Sequence, residues 1–412
     1  MFFPIFSVSA FLLSFELHFS ASACPALCKC YSEEVIHCNN LGLTALPEDI
    51  TASATYLNLA GNLLCILSFN YFHLVPSIQT LWLNHNNLTF LYPGTFVALT
   101  DLRNLNLSAN SRLTYLHAYT FQGLSNLMSL DVSHCNIFEI HPLVFSHLVS
   151  LEILDLTSNK MRYIPHALSK VPNITRLSLE KNNIEAIGKN SLMFQTSLHT
   201  LNLRKNRIWV IQGEAFIHLN ELRNLNLGHN NISDLPNQLF EGLIHLKTMY
   251  LEANRITAIR CPFSSLINLK KLYLNNNRIV YISRNAFSSL KELEFLHLSR
   301  NHLASIPHPL FLRLPKLRHI YLSYNPWNCD CDMGWLAQWN ASYRGVLEGL
   351  HCRLAASPAT KATGFSPNSS QCTLRPDETK DACEETPTNT AQRQRFPAAS
   401  LVLTCTLVLF CF

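Results

Sequence analysis

The sequence predicts an α/β solenoid: a horseshoe of about twelve stacked units with a disulfide-stapled cap at each end. Three observations predict it. The unit L-x-x-L-x-L-x-x-N recurs, its last asparagine falling at Asn62, Asn86, Asn110, Asn159, Asn182, Asn206, Asn230, Asn254, Asn277, Asn301 and Asn325, with Cys135 in the fourth slot. The steps between these positions are 23 to 25 residues, room for one short strand and one return segment. Cysteines cluster just before the first unit and just after the last. One unit cannot bury its own leucines, so stacking must do it, and the exposed end units need caps.

Within each unit the first half reads as a strand. Its leucines at the fourth and sixth positions point inward and the residues between them point out of the concave face, as period-2 alternation requires. The closing asparagine turns the chain, and its amide can serve unpaired backbone groups of adjacent turns as a ladder. Cys135 in that slot reads as a buried thiol rather than half of a disulfide. The second half of the units carries Phe72, Phe96, Phe121, Phe145, Phe216, Phe240, Phe263, Phe287 and Phe311, predicting a stacked aromatic spine, with Leu168 and Leu192 replacing the ring in two units. No unit has room for a long convex helix, so short turns or 3₁₀ pieces are expected.

The predicted segments are a signal peptide over 1–23, an N-terminal cysteine cap over 24–53, the array over 54–325, a C-terminal cysteine cap over 326–373, a linker over 374–395 and an apolar tail over 396–412. Ala21-Ser22-Ala23 supplies an A-x-A cleavage site, although a basic leader is missing and Glu16 interrupts the apolar stretch. The tail has no charge after it, and small residues at Asn389-Thr390-Ala391 precede a short spacer. That pattern fits a GPI signal with attachment at Asn389, a bare membrane helix being the second reading and a soluble form the third.

Net charge is +5, with 14% charged residues and no basic stripe, which argues against nucleic-acid binding. The 18 histidines lack metal-ligand spacing, and G-x-S-x-G, a phosphate loop and paired catalytic acids are all missing. A non-enzymatic chain without metal or cofactor is expected. Six N-x-S/T sequons occur, at Asn87, Asn106, Asn173, Asn231, Asn340 and Asn368. Asn106, between Leu105 and Leu107, should face the concave side.

The best candidate for function is therefore the concave surface. The residue between the paired leucines runs Asn58, Trp82, Asn106, Asp131, Asp155, Ser178, Asn202, Asn226, Tyr250, Tyr273, His297 and Tyr321. The last four are aromatic and lie on successive strands, with Lys247, Lys270, Lys271, Arg300 and Arg318 nearby. Exposed Tyr beside Arg is the composition of interface hot spots, so Tyr250, Tyr273, His297, Tyr321, Lys271 and Arg300 are predicted to bind protein, with Trp82 as a second anchor.

The cap-repeat-cap plan and the segment Asn325-Pro326-Trp327-Asn328-Cys329-Asp330-Cys331 with Trp335 and Trp339 resemble the extracellular leucine-rich-repeat receptors. Within that class, Leu113 to Phe121, Asn173 to Glu180, Ile184 to Ala186, the 25-residue unit ending at Cys135 and the unit with Pro165 and Leu168 look like the nyctalopin-like members. The resemblance implies disulfides Cys24–Cys30, Cys28–Cys38, Cys329–Cys352 and Cys331–Cys372. It leaves Cys65, Cys261 and Cys383 without an evident mate. It also implies a synaptic scaffold on retinal ON-bipolar cells whose partners are a melastatin-type cation channel and a metabotropic glutamate receptor complex. The stretch after Cys372 is shorter than in the nyctalopin-like members, and the runner-up resemblance is to Nogo-receptor-like, GPI-anchored receptors of neurite outgrowth, from which twelve units depart.

Overall fold

A computed structural model describes residues 24–328 and 333–350. The expected solenoid horseshoe forms. One three-residue strand per unit joins a 15-stranded concave sheet running from Lys29–Cys30 to Val346–Glu348. The first pairing, Lys29–Cys30 with Val35–His37, is antiparallel; every later pairing in that sheet is parallel and in register. Each unit winds the same way, so each strand meets the same position of its neighbour. Leu201 pairs with Leu225, for example, and Asn202 with Asn226.

The return segments are mostly turns. The described residues hold one 3₁₀ segment, His166–Lys170, and one α-helix, Gly334–Ser342. The 3₁₀ turn sits in the unit where Leu168 replaces the phenylalanine. The ring spine is as expected: Phe72, Phe96, Phe121 and Phe145 stack at 5.7 to 6.3 Å, and Phe216, Phe240, Phe263 and Phe287 at 5.9 to 6.1 Å. The leucines that interrupt the spine are as buried as the rings.

The asparagine ladder supplies the backbone accounting that a buried turn demands. Asn206 is representative. Its Nδ2 donates to the carbonyls of Leu179 and Leu203 at 2.9 and 3.1 Å, and its Oδ1 accepts from the Ile184 amide at 3.0 Å. The residue before each ladder asparagine has positive φ, from His85 at 55° to Tyr324 at 60°, and is glycine only at Gly61. A left-handed residue with a side chain costs about 1 kcal/mol, which the ladder bonds offset. Cys135 is a free buried thiol whose Sγ lies 3.5 Å from the Leu107 carbonyl, and burial pushes its pKa up to about 12. It offers no amide oxygen, and the Leu113 amide turns instead to the Asn110 carbonyl at 2.9 Å.

The N-terminal cap is closed by Cys24–Cys30 and Cys28–Cys38, as the resemblance implied. At the other end Trp327 is fully buried and donates its Nε1 proton to the Leu322 carbonyl at 3.0 Å. Trp335 and Trp339 share one face of the Gly334–Ser342 helix and both pack on Phe311, at 6.2 and 5.4 Å. Cys261, for which the sequence offers no evident mate, is disulfide-bonded. Cys65 is free. The signal peptide over 1–23, the pairings Cys329–Cys352 and Cys331–Cys372, the sequon at Asn368, Cys383, the attachment position Asn389 and the tail over 396–412 lie outside the described residues.

Candidate protein-binding face

In-register stacking brings the predicted aromatic column together. Tyr250 faces Tyr273, Tyr273 faces His297, and His297 faces Tyr321 across successive strands. The Tyr250 and Tyr273 rings stack at 4.6 Å, and the His297 and Tyr321 rings lie 5.2 Å apart. Two further aromatics complete the patch. Phe295 sits two residues before His297 on the same strand and therefore on the same face. Its ring is 4.8 Å from Tyr273 and 5.3 Å from Tyr321. His319 stands beside it at 6.2 Å. Reading the residue two positions earlier in each strand would have found both.

The rings shield one another, so the column is half-buried rather than fully wet. Burial pulls the His297 pKa below the ordinary imidazole value and pushes the Tyr273 phenol up. Both groups are thus neutral near pH 7. A rigid, neutral, partly desolvated aromatic surface suits docking, because little water and little side-chain freedom remain to be lost.

Cations border this surface. Lys271 shares a strand with Tyr273, and Lys247 and Arg318 are exposed just outside the neighbouring strands. Arg300 places its guanidinium over the Tyr324 ring, 4.7 Å from the centroid. Lys270, in contrast, is neutralised by Glu294 at 3.0 Å.

Trp82 does not join this patch. It lies seven strands away from Tyr250 in the sheet order, about 34 Å at ~4.8 Å per strand. It belongs to a second aromatic row at the N-terminal end, where Trp82, Tyr56, His37 and Tyr31 follow one another at 6.1, 5.1 and 5.0 Å. Its in-register neighbour is Asn106, which faces the concave side as expected and accepts from the Ser108 amide and hydroxyl at 2.9 and 2.7 Å.

Asn173 lies on the rim, in a shallow depression of about 890 Å³ that Arg103, Met128 and Glu152 also line. Its Nδ2 donates to the Val149 carbonyl at 3.3 Å. Asn126 and Asn268 make the equivalent bond to Thr100 and Ile244, so a second, sparser ladder runs along this edge. Asn87 and Asn231 follow ladder asparagines and are half-buried, and Asn340 is exposed on the cap helix. Among the described residues no group of histidine, cysteine and acidic side chains could hold a metal ion, and no helix is long and apolar enough to cross a membrane.

An in-register solenoid with an asparagine ladder and an exposed concave sheet defines a class, and the sequence matches it directly. The family described as leucine rich repeat matches residues 52–111, 76–137, 102–161, 125–184, 196–256 and 261–303. These stretches cover more than half of the chain, which belongs to that family. Among individual proteins, mouse nyctalopin is 36% identical over 168 residues, 40% of this chain and 35% of that protein. Human reticulon-4 receptor-like 2 is 36% identical over 132 residues, 32% of this chain and 31% of that protein. The chain thus spans about a third of the length of the curated relatives it matches. Among solved structures, a chain of the octameric complex of latrophilin 3, Unc5D and FLRT2 aligns with a TM-score of 0.63 at 25% identity. That alignment covers 80% of this chain and 93% of the other. A chain of the Drosophila Toll–Spatzle complex aligns with a TM-score of 0.66 at 26% identity, covering 77% and 45%.

Proposed function

We propose that this chain is a non-enzymatic, membrane-attached protein of the cell surface that docks other membrane proteins on its concave face. The observation that carries the reading is the aromatic patch of Tyr250, Tyr273, Phe295, His297 and Tyr321, held by the sheet and bordered by Lys271, Arg300 and Arg318. Those side chains do nothing for the leucine core, which lies on the other side of the strands. The segment boundaries given above, attachment at Asn389 and glycans on the sequons belong to the same proposal.

The likeness to nyctalopin supports a finer form: a scaffold of retinal ON-bipolar synapses that holds a melastatin-type cation channel near a metabotropic glutamate receptor complex. The comparable identity to reticulon-4 receptor-like 2 supports a second form, a GPI-anchored receptor in neurite outgrowth.

The test is co-expression of the full chain with the channel at a cell surface. Wild type is expected to recruit the channel. Tyr250→Ala with Tyr273→Ala is expected to reach the surface folded yet lose recruitment, since a hot-spot aromatic is worth about 2 kcal/mol, or roughly thirtyfold in affinity. Undiminished recruitment by that variant would move the docking site off the concave face. Failure of wild type to recruit the channel would discard the finer form. Persistence at the surface after phosphatidylinositol-specific phospholipase would remove the GPI claim.

A further inference from the structure

The concave face is not uniform along its length. Its central strands, Ser129–Asp131 to Arg176–Ser178, and the turns beside them carry Asp131, Glu152, Asp155 and Glu180, with Arg176 and Lys181 as the cations among them. Asp131 and Asp155 are in-register neighbours. Each spends one oxygen locally, Asp131 on the Ser133 amide at 2.9 Å and Asp155 on the Thr157 amide at 2.8 Å. Towards the C-terminal end the balance reverses. Glu252 is taken by Arg204 at 3.6 Å and Glu294 by Lys270 at 3.0 Å, which leaves Glu348, in register with Tyr321, as the one carboxylate set against four cations at this end among the described residues. Lys247, Lys271, Arg300 and Arg318 form no ion pair among the described residues, and they surround the aromatic column.

We propose that the partner presents a segment of split charge, acidic where it meets Lys247, Lys271, Arg300 and Arg318 and basic where it meets Asp131, Glu152 and Asp155. This rests on the reading of the concave face as the docking surface and adds the chemistry of what docks there. Complementary potentials fix register and speed encounter, and like charges in the wrong register are penalised. A uniform polyanion such as a sulfated glycosaminoglycan would meet repulsion from the central carboxylates as it ran along the face. It would also leave the aromatic column unused. The two charged zones are about 25 Å apart at ~4.8 Å per strand. An extended segment crossing both and the column needs about 12 residues at ~3.3 Å each.

The test uses the whole chain and three defined probes at low and physiological salt. One is a 12-residue peptide with a glutamate-rich half and a lysine-rich half. The second has the same composition with the charges evenly mixed. The third is a heparan sulfate fragment. The block peptide is expected to bind at least about tenfold more tightly than the mixed one, and more weakly as salt rises. Two charge-removing variants read the two zones separately. Asp131→Asn with Asp155→Asn keeps the turn hydrogen bond, because Asn106 and Asn226 make the same bond in the same column at 2.9 and 3.0 Å, and Ser133→Ala with Thr157→Ala are added so that neither asparagine becomes a new N-x-S/T sequon. Lys247→Gln, Lys271→Gln, Arg300→Gln and Arg318→Gln together discharge the other end. Each is expected to abolish the advantage of the block peptide, with melting unchanged. Equal binding of block and mixed peptides, or tight heparan sulfate binding that strengthens when the aspartates are neutralised, overturns the split-charge inference. If the charge variants leave recruitment of the membrane partner intact while Tyr250→Ala with Tyr273→Ala still abolishes it, the split-charge inference fails and the docking reading stands. If neither set matters, both fail.

Discussion

Arg204 and Glu252 meet across the backbone of Gly228, skipping one whole unit. The Arg204 Nε lies 3.6 Å from the Glu252 Oε1, and both side chains are mostly buried on the concave face. A Cβ at Gly228 would stand 2.5 Å from that carboxylate oxygen. In a solenoid each unit ordinarily touches its immediate neighbours alone, so this pair couples units two apart. The backbone of Gly228 has no positive φ, and an alanine there would act by displacing Glu252 rather than by straining the chain. Gly228→Ala is expected to cost about 1 kcal/mol, the scale of a partly exposed ion pair. In a double-mutant cycle that cost should largely vanish once Glu252→Gln is present. Additive effects in thermal melts would show that the pair is not what the glycine serves.

The ladder predicts unequal sensitivity at equivalent positions. Asn206→Ala leaves the buried Ile184 amide without its acceptor and takes one of two donors from each of the Leu179 and Leu203 carbonyls, which keep Asn182 and Asn230. That should cost about 2 kcal/mol, given ~1–3 kcal/mol for an orphaned buried group. Cys135 makes only long sulfur contacts, and its unit has already found another partner for the Leu113 amide. Cys135→Ser should therefore cost less than about 1 kcal/mol. Chemical denaturation of the two variants checks this, and equal losses would mean that the fourth slot carries the same load as the others.

This asymmetry illustrates what could be read from the sequence. The ladder, the phenylalanine spine with its gap at Leu168 and Leu192, and the aromatic column follow from period and alternation, which act within a unit and repeat. Phe295 and His319 follow from the same alternation, but reading one outward residue per strand passes over them. The left-handed residues are different. His85, Lys205 and Arg300 carry no glycine signal, because the ladder bonds of the next residue, not local propensity, hold their φ near +55°. The Arg204–Glu252 pair depends on a contact between units, which no single-unit pattern encodes. The bond at Cys261 is equally invisible, since cysteine counting cannot supply connectivity.

The N-terminal cap should behave as a staple on an otherwise open end. Cys28–Cys38 joins the antiparallel opening turn to the first parallel strand, and Cys38 is fully buried against the core. Cys28→Ser with Cys38→Ser is expected to cost about 2–5 kcal/mol. The loss should be greatest near the first units, because stability spreads through nearest neighbours. Hydrogen exchange that speeds up around Leu57 and Leu81 before Leu272 would fit; uniform acceleration along the array, or no change in melting, would contradict it.

The histidines predict a pH dependence with a definite sign. Burial depresses the pKa of His297 from its ordinary 6.5, and His117 and His229 shift the same way, again chiefly through burial. Below pH 6.5 the unfolded chain therefore binds more protons than the folded one, and stability rises with pH across that window. The contribution is fully present above about pH 6.5 and is lost as the pH falls through the lower folded value. Glu294, also depressed, acts at lower pH, below its ordinary 4.5. Melting temperature is thus expected to fall between pH 7.5 and 5.5. His297→Phe keeps a ring against Tyr273, Phe295 and Tyr321 while removing the titrating group, and it should flatten that fall in part. Protonating His297 also places a cation inside the aromatic column, 5.2 Å from Tyr321, so binding of the block peptide should change over the same range in wild type and not in His297→Phe. Thermal melts and titrations at both pH values decide the matter: identical pH profiles for wild type and variant would show that His297 is not a titrating element of this face.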